Sequence, residues 1–251
     1  MSKLTIKTEA EMKIMVEGGV KLARVKKALA KAVKPGVTAW DIEVLARKLI
    51  KEEGAEGSFD KVPRYKWVTC VNVNDGVVHG IPKKEVVFKD DDIISIDVGI
   101  YYKGFHTDTA VSVYLGKDKK KKDFLAAGRK ADLAGIAEVK KGKTIGDISR
   151  AIEKVLFANN LKPVWALTGH GVGRELHELP YIPCYSSKDE SQELVMGVGF
   201  VLAVEVMFTT GDGELKQDAD GWTLRTNDGK IAGLWEETVA ITSDGPIVVT
   251  E

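Results

Sequence analysis

Val33-Lys34-Pro35-Gly36-Val37-Thr38-Ala39-Trp40-Asp41-Ile42 returns later in the chain as Val139-Lys140-Lys141-Gly142-Lys143-Thr144-Ile145-Gly146-Asp147-Ile148, keeping Val-Lys-x-Gly-x-Thr-x-x-Asp-Ile. One return at so long a period argues for a duplicated half-domain, because a solenoid needs several consecutive units. The decamer reads as a junction between helices. Gly36 and Gly142 can take the left-handed conformation that closes a helix. Thr38 and Thr144 can cap the next helix, with Asp41 and Asp147 three residues on as the acidic partner near its positive end.

Working outward, each copy sits inside a helix pair: residues 9–33 and 39–53 in the first half, 121–139 and 145–159 in the second. β-rich segments follow each pair, at 86–115 and then at 200–208 and 233–249. Helix pairs followed by antiparallel strands, twice, predict an α+β domain with pseudo-twofold character. No Pro/Ser/Gly linker divides the halves, so residues 1–251 are expected to form one domain with internal halves of about 1–116 and 117–251.

The composition narrows the function classes. Lys and Arg number 37 against 37 Asp and Glu, a balance that argues against a nucleic-acid binder, and 44% hydrophobic residues argue against disorder. The run Lys119-Lys120-Lys121-Lys122 lies between Asp118 and Asp123 and reads as a solvated helix start. Two cysteines, Cys70 and Cys184, are too few for a disulfide scaffold and have no zinc-like spacing, which fits a reducing interior. The N-terminus runs into a charged amphipathic segment, and apolar stretches such as 200–204 are far short of a bilayer span. A soluble cytoplasmic protein is expected.

The chemistry starts in residues 93–110, IISIDVGIYYKGFHTDTA. Alternation puts Ile94, Ile96, Val98 and Ile100 on one strand face and Ser95, Asp97 and Gly99 on the other. A hairpin reversing about Tyr102 and Lys103 would set Asp97 directly opposite Asp108, both on one face. Like charges so placed repel, and a divalent cation between them is the simplest remedy. Solvated surface aspartates explain this pair alone equally well. Glu205, however, is a lone acid in the apolar run 200–208, and Glu236 opens another strand with Glu237 beside it. Salt bridges explain either glutamate singly; they explain all four acids less well. The chain has four histidines. His170 lies between glycines in Thr168-Gly169-His170-Gly171, His177 follows closely, and His79 lies in the loop-like Val78-His79-Gly80-Ile81-Pro82. His106 shares the parity of Asp108 and can reach the same face to orient a ligand. Cys70 and Cys184 read as small core or pocket residues.

The order Asp97, Asp108, His170, Glu205, Glu236 resembles the methionine aminopeptidases over nearly the whole chain. Val-His-Gly-Ile-Pro at His79, Ile-Asp-Val-Gly at Asp97, His-x-Asp-Thr-Ala at Asp108, Gly-His-Gly-Val-Gly-Arg at His170 and Trp-Glu-x-Thr at Glu236 occur in family order. The short interval from His177 to Glu205 resembles the type I enzymes. The resemblance implies the pita-bread fold and removal of N-terminal methionine by a metal-generated hydroxide attacking the first peptide bond. It implies two divalent ions (cobalt, manganese, iron or zinc): Asp97 on one, His170 and Glu205 on the other, Asp108 and Glu236 bridging. Glu205 would also shuttle the proton of the attacking water, and His79 and His177 would contact substrate and stabilise its tetrahedral intermediate. Tyr65, Cys70, Leu176 and Trp222 resemble parts of the methionine pocket. Partners would be peptides beginning with Met, with the ribosome a further candidate, and the chain would act as a monomer without nucleic acid or membrane.

Several positions depart from the pattern. Leu176 stands where type I enzymes commonly carry an aromatic residue, Val206 where Pro is frequent, and Glu237 where His is common; residues 60–66 lack the usual Gly-aromatic-Pro. A proline-directed peptidase would share fold and ligands but usually carries an extra N-terminal domain, for which 251 residues leave no room. A non-catalytic, RNA- or partner-binding relative would be expected to have lost ligands, and none is lost here.

Overall fold

The computed structural model describes residues 4–251. Four helices carry the repeat: α1 (Glu9–Ala32), α2 (Ala39–Glu52), α3 (Lys119–Ala137) and α4 (Ile145–Ala158). They fall within two residues of the expected bounds at every end. Thr38 with Asp41 and Thr144 with Asp147 close reciprocal capping boxes at α2 and α4, and Thr8 with Glu11 does the same for α1. The repeated glycines have another role than closing helices. Gly36 and Gly142 are left-handed, at φ +87° and +88°, but lie several residues past the ends of α1 and α3. Each serves the turn that docks the next helix: Gly36 donates its N–H to the Phe88 carbonyl at 2.8 Å, and Gly142 to that of Met196 at 2.9 Å.

Thirteen strands follow or separate the helices. They are β1 (Glu56–Gly57), β2 (Thr69–Val73), β3 (Gly76–Val78), β4 (Ile93–Tyr102), β5 (Phe105–Tyr114), β6 (Lys162–Pro163), β7 (Thr168–Gly171), β8 (Glu178–Pro183), β9 (Val201–Thr209), β10 (Leu215–Gln217), β11 (Leu224–Thr226), β12 (Ala232–Thr242) and β13 (Gly245–Val248). The large antiparallel sheet runs β1-β4-β5-β12-β9-β7-β8, with β2 on β4, β6 on β9 and β13 on β12; β10, β11 and β3 form a small second sheet. The long strands match the expected β segments. The short ones, including β2, β3, β7 and β8, have too few residues for alternation to show in the sequence.

Both helix pairs cover one face of the large sheet. Leu22, Val25 and Leu29 of α1 and Ile42 and Ala46 of α2 pack on Ile94, Ile96, Val98 and Ile100. Ile145, Ile148 and Ile152 of α4 pack with Val204, Val206 and Phe208. The other face is left for side chains of different chemistry.

The β4–β5 hairpin corrects the expected register. Its turn is Lys103-Gly104, with φ +48° and +92°, so Tyr102 pairs with Phe105 and Asp108 lies opposite Gly99, while Asp97 lies opposite Ala110. A two-residue turn with both φ values positive suits the strand twist, and Gly104 accommodates it. The shift is two residues along the strand, so Asp97 and Asp108 keep a common face as diagonal neighbours.

The halves meet where β5 pairs with β12, and direct ladder pairing there is confined to Glu236 with Ala110 and Glu237 with Thr109. Hydroxyls close the join on both sides. Thr238 Oγ1 accepts the Asp108 N–H at 3.0 Å and donates to the Asp108 carbonyl at 2.7 Å. Ser112 Oγ accepts the Leu234 N–H at 3.0 Å and donates to the Leu234 carbonyl at 2.8 Å. The two devices are related as a local twofold between the strands would relate them.

Candidate active site

The register lines up one row across the face opposite the helices. Cys70 pairs with Asp97, Asp97 with Ala110, Ala110 with Glu236, and Glu236 with Glu205. Paired residues share a face, so three carboxylates converge over Ala110, whose methyl leaves the space between them open. Asp108 stands two residues along β5 on the same face. His170 on β7 pairs with Ala203 of β9, two residues from Glu205 on the same face, and its Nε2 lies 3.5 Å from Glu205 Oε1. His170 is thus on a strand, not in a loop. All five candidate ligands therefore come together, and ligand atoms of Asp108, His170 and Glu236 lie within 4.8 Å of one another.

These acids have no cationic side chain to neutralise them on this face. Burial and the neighbouring carboxylates Asp108 and Glu205 push Asp97 well above its usual range. Burial, then Asp108, does the same to Glu205; burial, then the surrounding acids, to Glu236. Burial raises Asp108 to about 7, against the opposing hydrogen bonds from the Thr109 N–H and Asp97. Asp97 Oδ1 is buried with no hydrogen-bond partner. Four acids that cannot all ionise together, with an orphaned oxygen among them, form a donor set that fits hard divalent cations.

The histidines complete the set. His170 Nδ1 is 2.9 Å from the Gly171 carbonyl and must donate to it, which leaves the Nε2 lone pair facing Glu205 and its neighbours. Burial, then His177, lowers the His170 pKa to about 3, so the ring is neutral at pH 7. His177 stacks edge-on against His170 with centroids 4.5 Å apart. His79, left-handed at φ +58°, lies just past β3, and burial lowers its pKa to about 4. His79, His170 and His177 line one cavity of about 140 Å³ together with Asp97, Asp108, Glu205 and Glu236. His106 does not join them. Its Nδ1 is 2.7 Å from Ser58 Oγ, and it lines a neighbouring groove that shares Val62, Leu176 and His177 with this cavity.

Comparison with known proteins places this arrangement. Residues 13–243 match the model of metallopeptidase family M24. The chain belongs to that family. It is 39% identical over 237 residues to a methionine aminopeptidase of Aquifex aeolicus, covering 92% of each chain. The crystal structure of a methionine aminopeptidase from Thermotoga maritima superposes with a TM-score of 0.94 at 37% identity, covering 100% of both chains. A prolidase from Pyrococcus furiosus shares the fold at a TM-score of 0.74 and 20% identity; this chain covers 65% of it. The fold of this M24 chain is therefore the pita-bread α+β fold that the family resemblance implies.

The apolar end of the M24 cavity is lined by Tyr65, Cys70, Leu176 and Trp222, as expected, and also by Phe59 and Val62. Tyr65 stacks edge-on with Trp222, centroids 5.0 Å apart, and its hydroxyl donates to the Thr69 carbonyl at 2.9 Å. Phe59 was not legible in the sequence. It sits in a single helical turn, Phe59–Lys61, outside every motif, where its ring rests against Gly99.

Two departures from the family pattern lie on the helix side of the sheet. Val206 is a buried core residue. Glu237 points away from Glu236 into an ion network, with Lys26 Nζ of α1 at 2.7 Å and Arg129 of α3 at 3.2 Å. Thr250 adds a hydrogen bond at 2.6 Å. The extra acid is thus neutralised from both helices, without touching the cavity. Cys184 is a buried free thiol that donates to the Glu205 carbonyl at 3.2 Å from outside the cavity lining.

Proposed function

We propose that the chain removes N-terminal methionine from peptides and nascent proteins, with two divalent ions held by Asp97, Asp108, His170, Glu205 and Glu236. The observation that carries this reading is that the acid row and an apolar end walled by Phe59, Tyr65, Leu176 and Trp222 share one cavity of about 140 Å³. A thioether side chain suits such a pocket through apolar contact and sulfur–aromatic contact. The names of the relatives at 37–39% identity support the same substrate.

Asp97 would hold one ion, His170 and Glu205 the other, and Asp108 and Glu236 both. Bound ions of this kind lower the pKa of water and polarise a carbonyl. The protein's own residues do the rest. Glu205, whose surroundings already favour its protonated form, takes the proton of the attacking water and passes it to the leaving amine. His79 and His177 donate hydrogen bonds to the developing oxyanion; His79, neutral at pH 7, keeps one N–H for this purpose. The Tyr65 hydroxyl is occupied by Thr69, so the pocket wall offers the side chain no competing polar group.

We read the whole chain as one catalytic domain acting as a monomer in the cytoplasm, where nascent chains at the ribosome supply its substrates. No helix of the described residues is long and apolar enough to cross a membrane. The deciding experiment is hydrolysis of Met-, Leu-, Ala- and Xaa-Pro-initiated tripeptides with added cobalt or manganese. Preferred release of methionine supports the reading; preferred cleavage before proline, or metal-independent turnover, overturns it.

A further inference from the structure

We infer that Asn72 is a positioning residue for His79. The inference rests on the reading of His79 given above, and begins from its backbone. A non-glycine residue in the left-handed region, as His79 is at φ +58°, is strained, and persists only where its surroundings over-determine it. The next residue supplies that constraint. Gly80 donates its N–H to Asn72 Oδ1 at 3.0 Å, and its carbonyl accepts the Val71 N–H at 2.8 Å. A Cβ on Gly80 would run into the Val71 carbonyl and Asn72 Oδ1. The peptide after His79 is therefore clamped against β2 from both sides, once by backbone and once by the Asn72 side chain.

The choice of residue at position 72 points the same way. Asn72 is 2% exposed and its Nδ2 has no hydrogen-bond partner. Leaving such a donor buried is costly, so the amide is not kept for that nitrogen. What is used is Oδ1, the acceptor for Gly80. A carboxylate would accept equally well, but position 72 lies on the face of Cys70 and pairs with Ser95, diagonal to Asp97. It would add a fifth acid to a face where four already repel. The amide gives the acceptor without the charge.

The test is a double-mutant cycle on the metal-loaded full chain with a Met-Ala-Ser peptide. Asn72→Leu keeps the size and removes the acceptor. It is expected to lower kcat about 10- to 100-fold, the scale for a displaced catalytic group, with metal stoichiometry unchanged. In a His79→Ala background the same substitution should cost less than 2-fold. An equal factor in both backgrounds, or native kcat in Asn72→Leu, overturns the inference. Placement is read separately by NMR: the His79 imidazole resonance, assigned by its loss in His79→Ala, should move in Asn72→Leu while that of His177 stays. If it stays too, the clamp does not position the ring. Should Asn72→Leu fail to fold, Asn72→Ala enters the same cycle with the same criteria. Native kcat in His79→Ala with a shifted imidazole in Asn72→Leu would instead show that the clamp holds a ring with no catalytic part, and that the reading of His79 is at fault.

Discussion

Glu205 and Glu236 lie directly opposite each other across the β9–β12 ladder, a pairing that two ionised carboxylates would not tolerate without a cation between them. The same row continues through Ala110 to Asp97, so each acid is placed by the sheet's own hydrogen bonding. Precision at this site comes from strand register, not from loop conformation.

Glu236 in this row and Asp108 two residues along β5 are the ligands that the proposed reading shares between two ions. Glu236→Gln or Asp108→Asn is expected to reduce bound metal from two ions towards one or none and to lower kcat/KM at least 100-fold. Metal titration by calorimetry alongside peptide hydrolysis reads both. Native stoichiometry and turnover in either variant would refute the bridging assignment.

His177 stacks against His170 and lines the same cavity, where the proposed reading has it contact substrate. His177→Ala should lower kcat by about 10- to 100-fold while leaving metal affinity within about 3-fold, because a transition-state hydrogen bond acts on the barrier. A collapse of metal binding would instead make His177 a ligand.

The acid row also sets how stability responds to pH. In the metal-free protein Asp108 is raised to about 7 by burial, and Asp97, Glu205 and Glu236 are raised in the same sense. For carboxyls raised on folding, the folded state holds more protons, so their contribution is full in acid and is lost as pH rises towards and through 7. His79 and His170, lowered to about 4 and 3, act oppositely: their contribution is full above pH 6.5 and lost as pH falls. Above pH 6.5 only the acids still vary. The metal-free protein should thus melt at lower temperature at pH 8 than at pH 6.5. Manganese should raise Tm more at pH 8, where fewer protons need be displaced. Scanning calorimetry at both values decides it; a larger metal shift at pH 6.5 would contradict the argument.

Leu176 leaves one wall of the pocket aliphatic. Replacing it with Phe should raise the Met-Ala-Ser to Leu-Ala-Ser ratio of kcat/KM, by about 5- to 150-fold given the roughly 1–3 kcal/mol that a methylene-sized change can command. The structure also places Phe59 in this wall, which favours the lower end of that range. No rise in the ratio would show that Leu176 does not set the pocket's width.

Behind the site, Glu237 depends on two cations and Thr250. Glu237→Gln, which strands Lys26 in a buried position, should destabilise the fold by about 3–5 kcal/mol. Lys26→Met should cost less, since Arg129 and Thr250 still meet the carboxylate. The double variant should cost less than the sum of the two, as expected for residues in one network. Urea denaturation of the four proteins gives the cycle, and strict additivity would argue against a shared network.

Much of this was readable before any coordinates. Glu205 stood out because a carboxylate in an otherwise apolar run needs a partner, and the repeat marked both helix junctions through Thr–Asp pairs that do form capping boxes. The register of the β4–β5 hairpin was misjudged by two residues because the turn sits at Lys103-Gly104, a choice made by backbone φ and not by symmetry about the aromatic pair. His106 had the right parity but lies too near the turn to reach the acids, and bonds Ser58 instead. Phe59 and Asn72 gave no signal: one sits in an isolated turn, the other on a five-residue strand, and each matters only through what the chain brings beside it.

The join between β5 and β12 bears on how the molecule breathes. Its hydrogen bonds at Asp108 and Leu234 run through the hydroxyls of Thr238 and Ser112 instead of through direct backbone pairs, so rotation of either side chain opens a link that a backbone ladder would keep. Asp97 and Asp108 fall on one bank of it, His170, Glu205 and Glu236 on the other. Any loosening along the line would change the gap between the two groups of candidate ligands, so ions held by both groups, as proposed above, would also act as rivets between the two strands.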